Sequence, residues 1–142
     1  MTPPPKFRLP ALLLPALLLL SLSRCGPGEL ETVRTVGSGP YQIEVLSPGG
    51  AFESGENRVG IRVLRDGRPE EIQNVQLLFI MPPMGSMPPM RAEASFSSGD
   101  TGNANAAEGT VSFTMGGGWN GRVQVTTSSG PAAGDFDVQV RQ

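Results

Sequence analysis

Histidine is absent from the 142 residues, and cysteine occurs once. The first absence removes the commonest general base and the commonest metal ligand. The second removes any disulfide within the chain, because Cys25 has no partner. Lysine is nearly missing as well: past Arg24 there are eight arginines and none of the shorter base, against thirteen acids, a net charge of about −5. Neither a basic patch nor a basic helix results, which argues against a nucleic-acid partner. No segment carries a helical repeat. The serines have no histidine to activate them. Glu70-Glu71 sit in a turn region, and Asp135 and Asp137 fall on the polar face of an alternating strand. "GGGWNG" at 116–121 spells a GxGxxG motif, but the strand-like "RVQV" follows where a dinucleotide site needs a helix. These gaps together predict a protein that is not an enzyme.

What is present begins with leucine. "LPALLLPALLLLSLS" covers Leu9–Ser23 behind Lys6 and Arg8, the pattern of a secretory signal. Two prolines, Pro10 and Pro15, and a run shorter than about 20 residues argue against a spanning helix. Cys25 follows at once in "LSLSRCGPG". The position resembles a bacterial lipobox: Leu22 and Ser23 fit, whereas Arg24 stands where a small residue is expected. The expectation is a lipoprotein-type signal peptide over 1–24 and lipidation at Cys25, holding an exported, periplasmic or cell-surface domain to the membrane without crossing it. Residues 25–40, containing the glycine-rich "GPGELETVRTVGSGP", read as a flexible tether, and residues 41–142 as the domain.

That domain alternates with period two. "YQIEVL", "NRVGIRVLR", "GTVSFTM", "GRVQVTT" and "GDFDVQV" each place apolar residues at every second position. "NVQLLFIM" is more uniformly apolar, as a central strand covered on both faces would be, and "RAEASF" is weaker, as an edge strand would be. "SPGG" at 47–50, "RDGRP" at 65–69, "SSGDTGNANAAEG" at 97–109 and "SSGPAAG" at 128–134 punctuate the pattern, with Asp66-Gly67 marking a tight turn. About seven short strands predict an all-β, immunoglobulin-like antiparallel β-sandwich. Its core would include Ile43, Val59, Ile61, Val63, Leu77, Phe79, Phe113, Val123, Val125, Phe136 and Val138.

One stretch does not fit a strand. "FIMPPMGSMPPMRA", from Phe79 to Ala92, holds Met81, Met84, Met87 and Met90 at intervals of three, with prolines in most of the gaps. Prolines cannot supply the donors of a central strand. Methionine is ordinarily core filler, and Met81 and Met115, each at the end of an apolar strand, fit that use. Met84, Met87 and Met90 fit it less well. Thioethers favour soft ions, and Cu(I) is the expected one outside the cytoplasm, or Ag(I) with the same preference. A straight polyproline II segment would set methionines three apart roughly 9 Å from each other. A β-turn at Gly85-Ser86 would instead bring Met84 and Met87 within about 7 Å, with Pro82-Pro83 and Pro88-Pro89 stiffening the arms. Met84 and Met87 are therefore the first-choice ligands, with Met81 or Met90 third. Trp119 could cover the ion with its ring face or simply pack on the sandwich. The competing reading is an interaction module whose proline-methionine loop docks a partner protein without metal; a third is a surface domain with no ligand.

The segments "ENRVGIRVLRDGRPEEIQNVQLLFIMPPMGSMPP", "GTVSFTMGGGWNGRVQVTTSS" and "GDFDVQV" resemble the YtkA-like family, related to FixH-type domains, over about residues 41 to 141. Asn57, Met81-Pro82, Met84, Met115 and Trp119 occupy the places of its pattern. The resemblance implies a small exported or membrane-anchored β-sandwich linked with copper handling or cytochrome oxidase maturation, and hence a copper-donating or copper-accepting envelope protein as partner. It also brings Met115 into the candidate metal set. Many relatives carry a histidine in the methionine loop, whereas this chain has Ser86 and Met87 there, which shifts the expectation from Cu(II) to a methionine-only Cu(I) site.

Overall fold

The computed structural model describes residues 2–3, 28–97 and 106–142. The signal segment, Arg24 and the lipidation candidate Cys25 lie outside the described residues, as does most of the polar stretch at 97–109. Among the described residues there is no helix long and apolar enough to cross a membrane.

Period-two patterning produces two packed sheets. In the first, β1 (Leu30–Ser38), β2 (Tyr41–Pro48), β4 (Gly55–Arg65), β9 (Ala106–Phe113) and β8 (Ser95–Phe96) lie in that order, and the short β5 (Arg68–Pro69) pairs with β4. In the second, β3 (Phe52–Glu53), β11 (Gly130–Arg141), β10 (Gly117–Thr127), β6 (Ile72–Met81) and β7 (Met90–Glu93) follow one another. All pairings are antiparallel except that of β11 with β3. The expected antiparallel sandwich is the fold, and every residue predicted for its core is buried in it except Phe136, which packs against its edge.

The sequence expectation needs correcting in four places. The segment read as a tether carries β1, which pairs with β2 along its whole length. Its apolar residues Leu30, Val33 and Val36 recur every third position, which hides a strand. A register shift between Thr32 and Arg34 leaves Val33 unpaired, and this bulge absorbs the odd step. Among the described residues eleven strands stand where about seven were expected, three of them only two residues long. "RAEASF" is not one edge strand. Its first part pairs with β6, its last with β9, and the chain crosses between the sheets at Ala94. Finally, β6 is covered on one face only: Leu77, Phe79 and Met81 are buried, while Leu78 is half-exposed and Ile80 is 38% exposed.

Turn chemistry fixes the register. Asp66 and Gly67 both have positive φ (51° and 75°), as the two central residues of a type I′ hairpin turn require. At the end of the sandwich nearest the methionines, Phe52, Phe79, Phe113 and Trp119 form a run of edge-to-face and tilted contacts with centroids 5.0–5.6 Å apart. Such pairs add to simple area burial, so this end of the core is rigidly filled. Among the described residues the buried apolar side chains lie between Val36 and Val140. Residues 26–142 therefore contain every described strand of the sandwich and the described core.

Candidate metal site at the methionine hairpin

Strands β6 and β7 are the two arms of a hairpin, and Met81 and Met90 face each other where the regular ladder ends. Beyond them Pro82-Pro83 and Pro88-Pro89 lack the donors to extend it. The chain nevertheless stays paired at its tip. Met84 and Met87 form an isolated antiparallel bridge, and the Met87 amide donates to the Met84 carbonyl at 2.9 Å. Gly85 has φ +58° and Ser86 a negative φ, the sense of a type II′ turn with glycine first. The bend expected at Gly85-Ser86 forms there, and its outer residues are the two first-choice methionines.

The four methionines do not converge. Side chains alternate along an extended arm, so a step of three residues sends the base pair and the tip pair to opposite faces. Burial agrees: Met81 is 1% exposed, Met84 52% and Met87 44%. Met81 belongs to the core, and a Cβ on Gly117 would sit 3.0 Å from its methyl carbon. Gly117, at φ +130°, is thus the residue whose lack of side chain makes room for Met81. Met90 is half-buried against the core, and its sulfur accepts a hydrogen bond from the Thr114 hydroxyl at 3.3 Å. Met115 lies just past β9, also half-buried on the core. Met81, Met90 and Met115 are therefore packing residues around one end of the sandwich, separate from the tip pair.

Trp119 is also accounted for by packing. It is 1% exposed, its ring meets Phe113 at 5.2 Å between centroids, and its indole N–H donates to the Met115 carbonyl at 3.2 Å. A buried indole needs such a partner. Asn57 has an architectural task too. Its carboxamide accepts from the Glu53 amide at 2.9 Å and donates to the Glu53 and Gly55 carbonyls at 2.7 and 2.9 Å, fastening the β3–β4 connection.

The tip is electrically bare. No charged residue lies between Phe79 and Met90, and Arg91 is the first beyond it. Among the described residues no cluster of three histidine, cysteine, aspartate or glutamate side chains could hold an ion. Two exposed neutral thioethers on a stiff turn remain, a donor set suited to a soft monovalent cation and unsuited to hard ones.

The outer face of the second sheet, of which only the Asp135 and Asp137 side is legible in the sequence, is open. Leu78, Ile80, Asn120, Arg122, Asp135 and Asp137 line a shallow groove of about 410 Å³ there. Arg122 Nε donates to Asp135 Oδ1 at 2.8 Å. That hydrogen bond holds the Asp135 carboxyl below its ordinary range and raises Arg122. The signal was the excess of apolar residues at Leu78 and Ile80, which had suggested a covering layer.

The sequence profile of the YtkA-like family matches residues 35–124, from within β1 to within β10. No curated protein matches the chain. The fold is similar to the crystal structure of a DUF4426 family protein from Pseudomonas aeruginosa PAO1, with TM-score 0.57 and 9% identity over 76% of this chain and 96% of that one. It is also similar to part of a DUF4785 family protein from Legionella pneumophila, with TM-score 0.52 and 15% identity over 72% of this chain and 29% of that one.

Proposed function

The chain belongs to the YtkA-like family, and from that premise we propose that it is a non-catalytic, exported carrier of Cu(I), or of Ag(I), held through Met84 and Met87. Copper delivery, oxidase maturation or metal tolerance would be its setting. A copper-donating or copper-accepting envelope protein would be its partner, and a lipid on Cys25 its membrane attachment. The observation that carries the reading is the turn. It pairs the backbones of two methionines whose side chains are exposed and free of core duties. Thioethers need no deprotonation, so uptake would persist at acidic pH, and a neutral, weakly donating pair would surrender its ion readily to a thiolate or imidazole site.

Titration of residues 26–142 with Cu(I) under a competing chelator, beside Met84→Leu/Met87→Leu, tests it. Wild type should take up the ion and the double variant should not. Equal uptake by both would remove the tip from the account. A second reading, partner docking without metal, is favoured by one observation: among the described residues Ile80, Met84 and Met87 are the large apolar side chains left exposed. Leucine preserves that apolar bulk, so a partner interaction surviving in the double variant would favour docking.

A further inference from the structure

We propose that the metal-loaded protein is a dimer in which one soft ion is held between the hairpin tips of two copies of this chain. This rests on the reading of Met84 and Met87 as ligands and adds what completes their site. A single tip offers two thioethers. Thioether sulfur is a neutral, weak donor, and a d¹⁰ ion held by thioethers alone gains from more than two of them. Among the described residues no further sulfur is free to serve the tip. Met81 is locked in the core against Gly117, Met90 is engaged by Thr114, and Met115 packs on the core behind them. Bringing Met81 to the tip would unpack the end of the sandwich, at a cost of the size of a core truncation, and moving Met90 or Met115 would give up their packing against it.

A second tip supplies the missing donors without such rearrangement. Two chains related by a two-fold axis through the ion would each contribute Met84 and Met87, giving a closed, self-complementary contact. The tip is built for close approach. Gly85 and Ser86 are small, and an added Cβ at Gly85 would meet nothing within 4 Å. No charge lies within the Met81–Met90 segment to repel its copy. The prolines on both arms limit the conformational freedom lost on assembly. The contact is too small to hold two sandwiches together by burial alone, so the dimer should exist only with the ion bound and should dissociate when the ion is removed.

The test uses residues 26–142 and Ag(I), which has the same ligand preference and no redox chemistry of its own here. Mass by light scattering is followed during a titration, with bound silver measured in the same fractions. The expected result is a two-fold rise in mass, complete at one ion per two chains, reversed by a thiosulfate chelator and absent in Met84→Leu/Met87→Leu. Silver bound at one ion per chain with monomer mass would overturn the bridged dimer and leave the metal reading standing. No silver uptake would overturn both. Silver-induced dimers that persist in the double variant would place the contact elsewhere and overturn the proposal.

Discussion

The base and the tip of one hairpin carry the same residue type at the same spacing, yet they meet opposite fates. Met81 and Met90 pair where the ladder still holds, and the core takes them: Met81 is buried and Met90 receives a hydroxyl from Thr114. Met84 and Met87 pair three residues further on, across a glycine turn, and solvent takes them. The difference lies in parity rather than chemistry. A strand alternates every residue, so a step of three along either arm changes face. A repeat that looks like one stripe in the sequence is divided by the backbone into a structural pair and an available pair.

Substitutions should separate the two. The largest effects belong to the base and the core packed behind it. Trp119→Ala removes a filled, hydrogen-bonded core position and should destabilise by about 3–5 kcal/mol, read as a lowered denaturant midpoint. Met81→Ala should cost about 2–5 kcal/mol and leave silver binding intact under conditions where the variant stays folded; a loss of binding with folding preserved would join base to tip. An intermediate effect is expected at the turn. Gly85→Ala has room for its methyl but not the backbone conformation, at φ +58°. It should cost on the order of 1 kcal/mol and weaken metal uptake, because the two sulfurs lose their fixed approach. Unchanged affinity would mean the turn does not preorganise the pair. Met84→Leu/Met87→Leu should alter stability by less than about 0.5 kcal/mol while abolishing uptake, the reverse of the pattern at the base.

The smallest effect lies away from the hairpin. Arg122 depresses the Asp135 carboxyl, so the stabilisation from that pair is present above the ordinary carboxylate range and is lost as pH falls through the depressed value. Both groups are exposed at the surface, where such pairs contribute little. Asp135→Asn should therefore slightly flatten the acid side of a melting-temperature profile and leave neutral pH nearly unchanged; a large loss at neutral pH would give the pair a structural role that its exposure argues against.

Much of this was readable beforehand. Alternation located the strands of the core, and the proline-glycine grammar of "MPPMGSMPPM" located the bend and its outer residues. What escaped has physical causes. Strand β1 was hidden because a bulge at Val33 breaks its alternation. The open outer face of β6 was misread because Leu78 and Ile80 look the same in sequence whether a second layer or solvent lies above them. Trp119 could not be assigned because a lone tryptophan serves a core or a ligand equally well, and only its partners, Phe113 and the Met115 carbonyl, decide. The division of the methionines needed the register of the hairpin, which rests on the pairing of Met81 with Met90.

That division is most directly tested by following the methyl signals of all the methionines of residues 26–142 by NMR as Ag(I) is added. The Met84 and Met87 methyls should shift together and saturate, while Met81, Met90 and Met115 remain close to their starting positions. Large shifts at Met81 or Met115 with the tip methyls unmoved would contradict the account and place the soft site in the core.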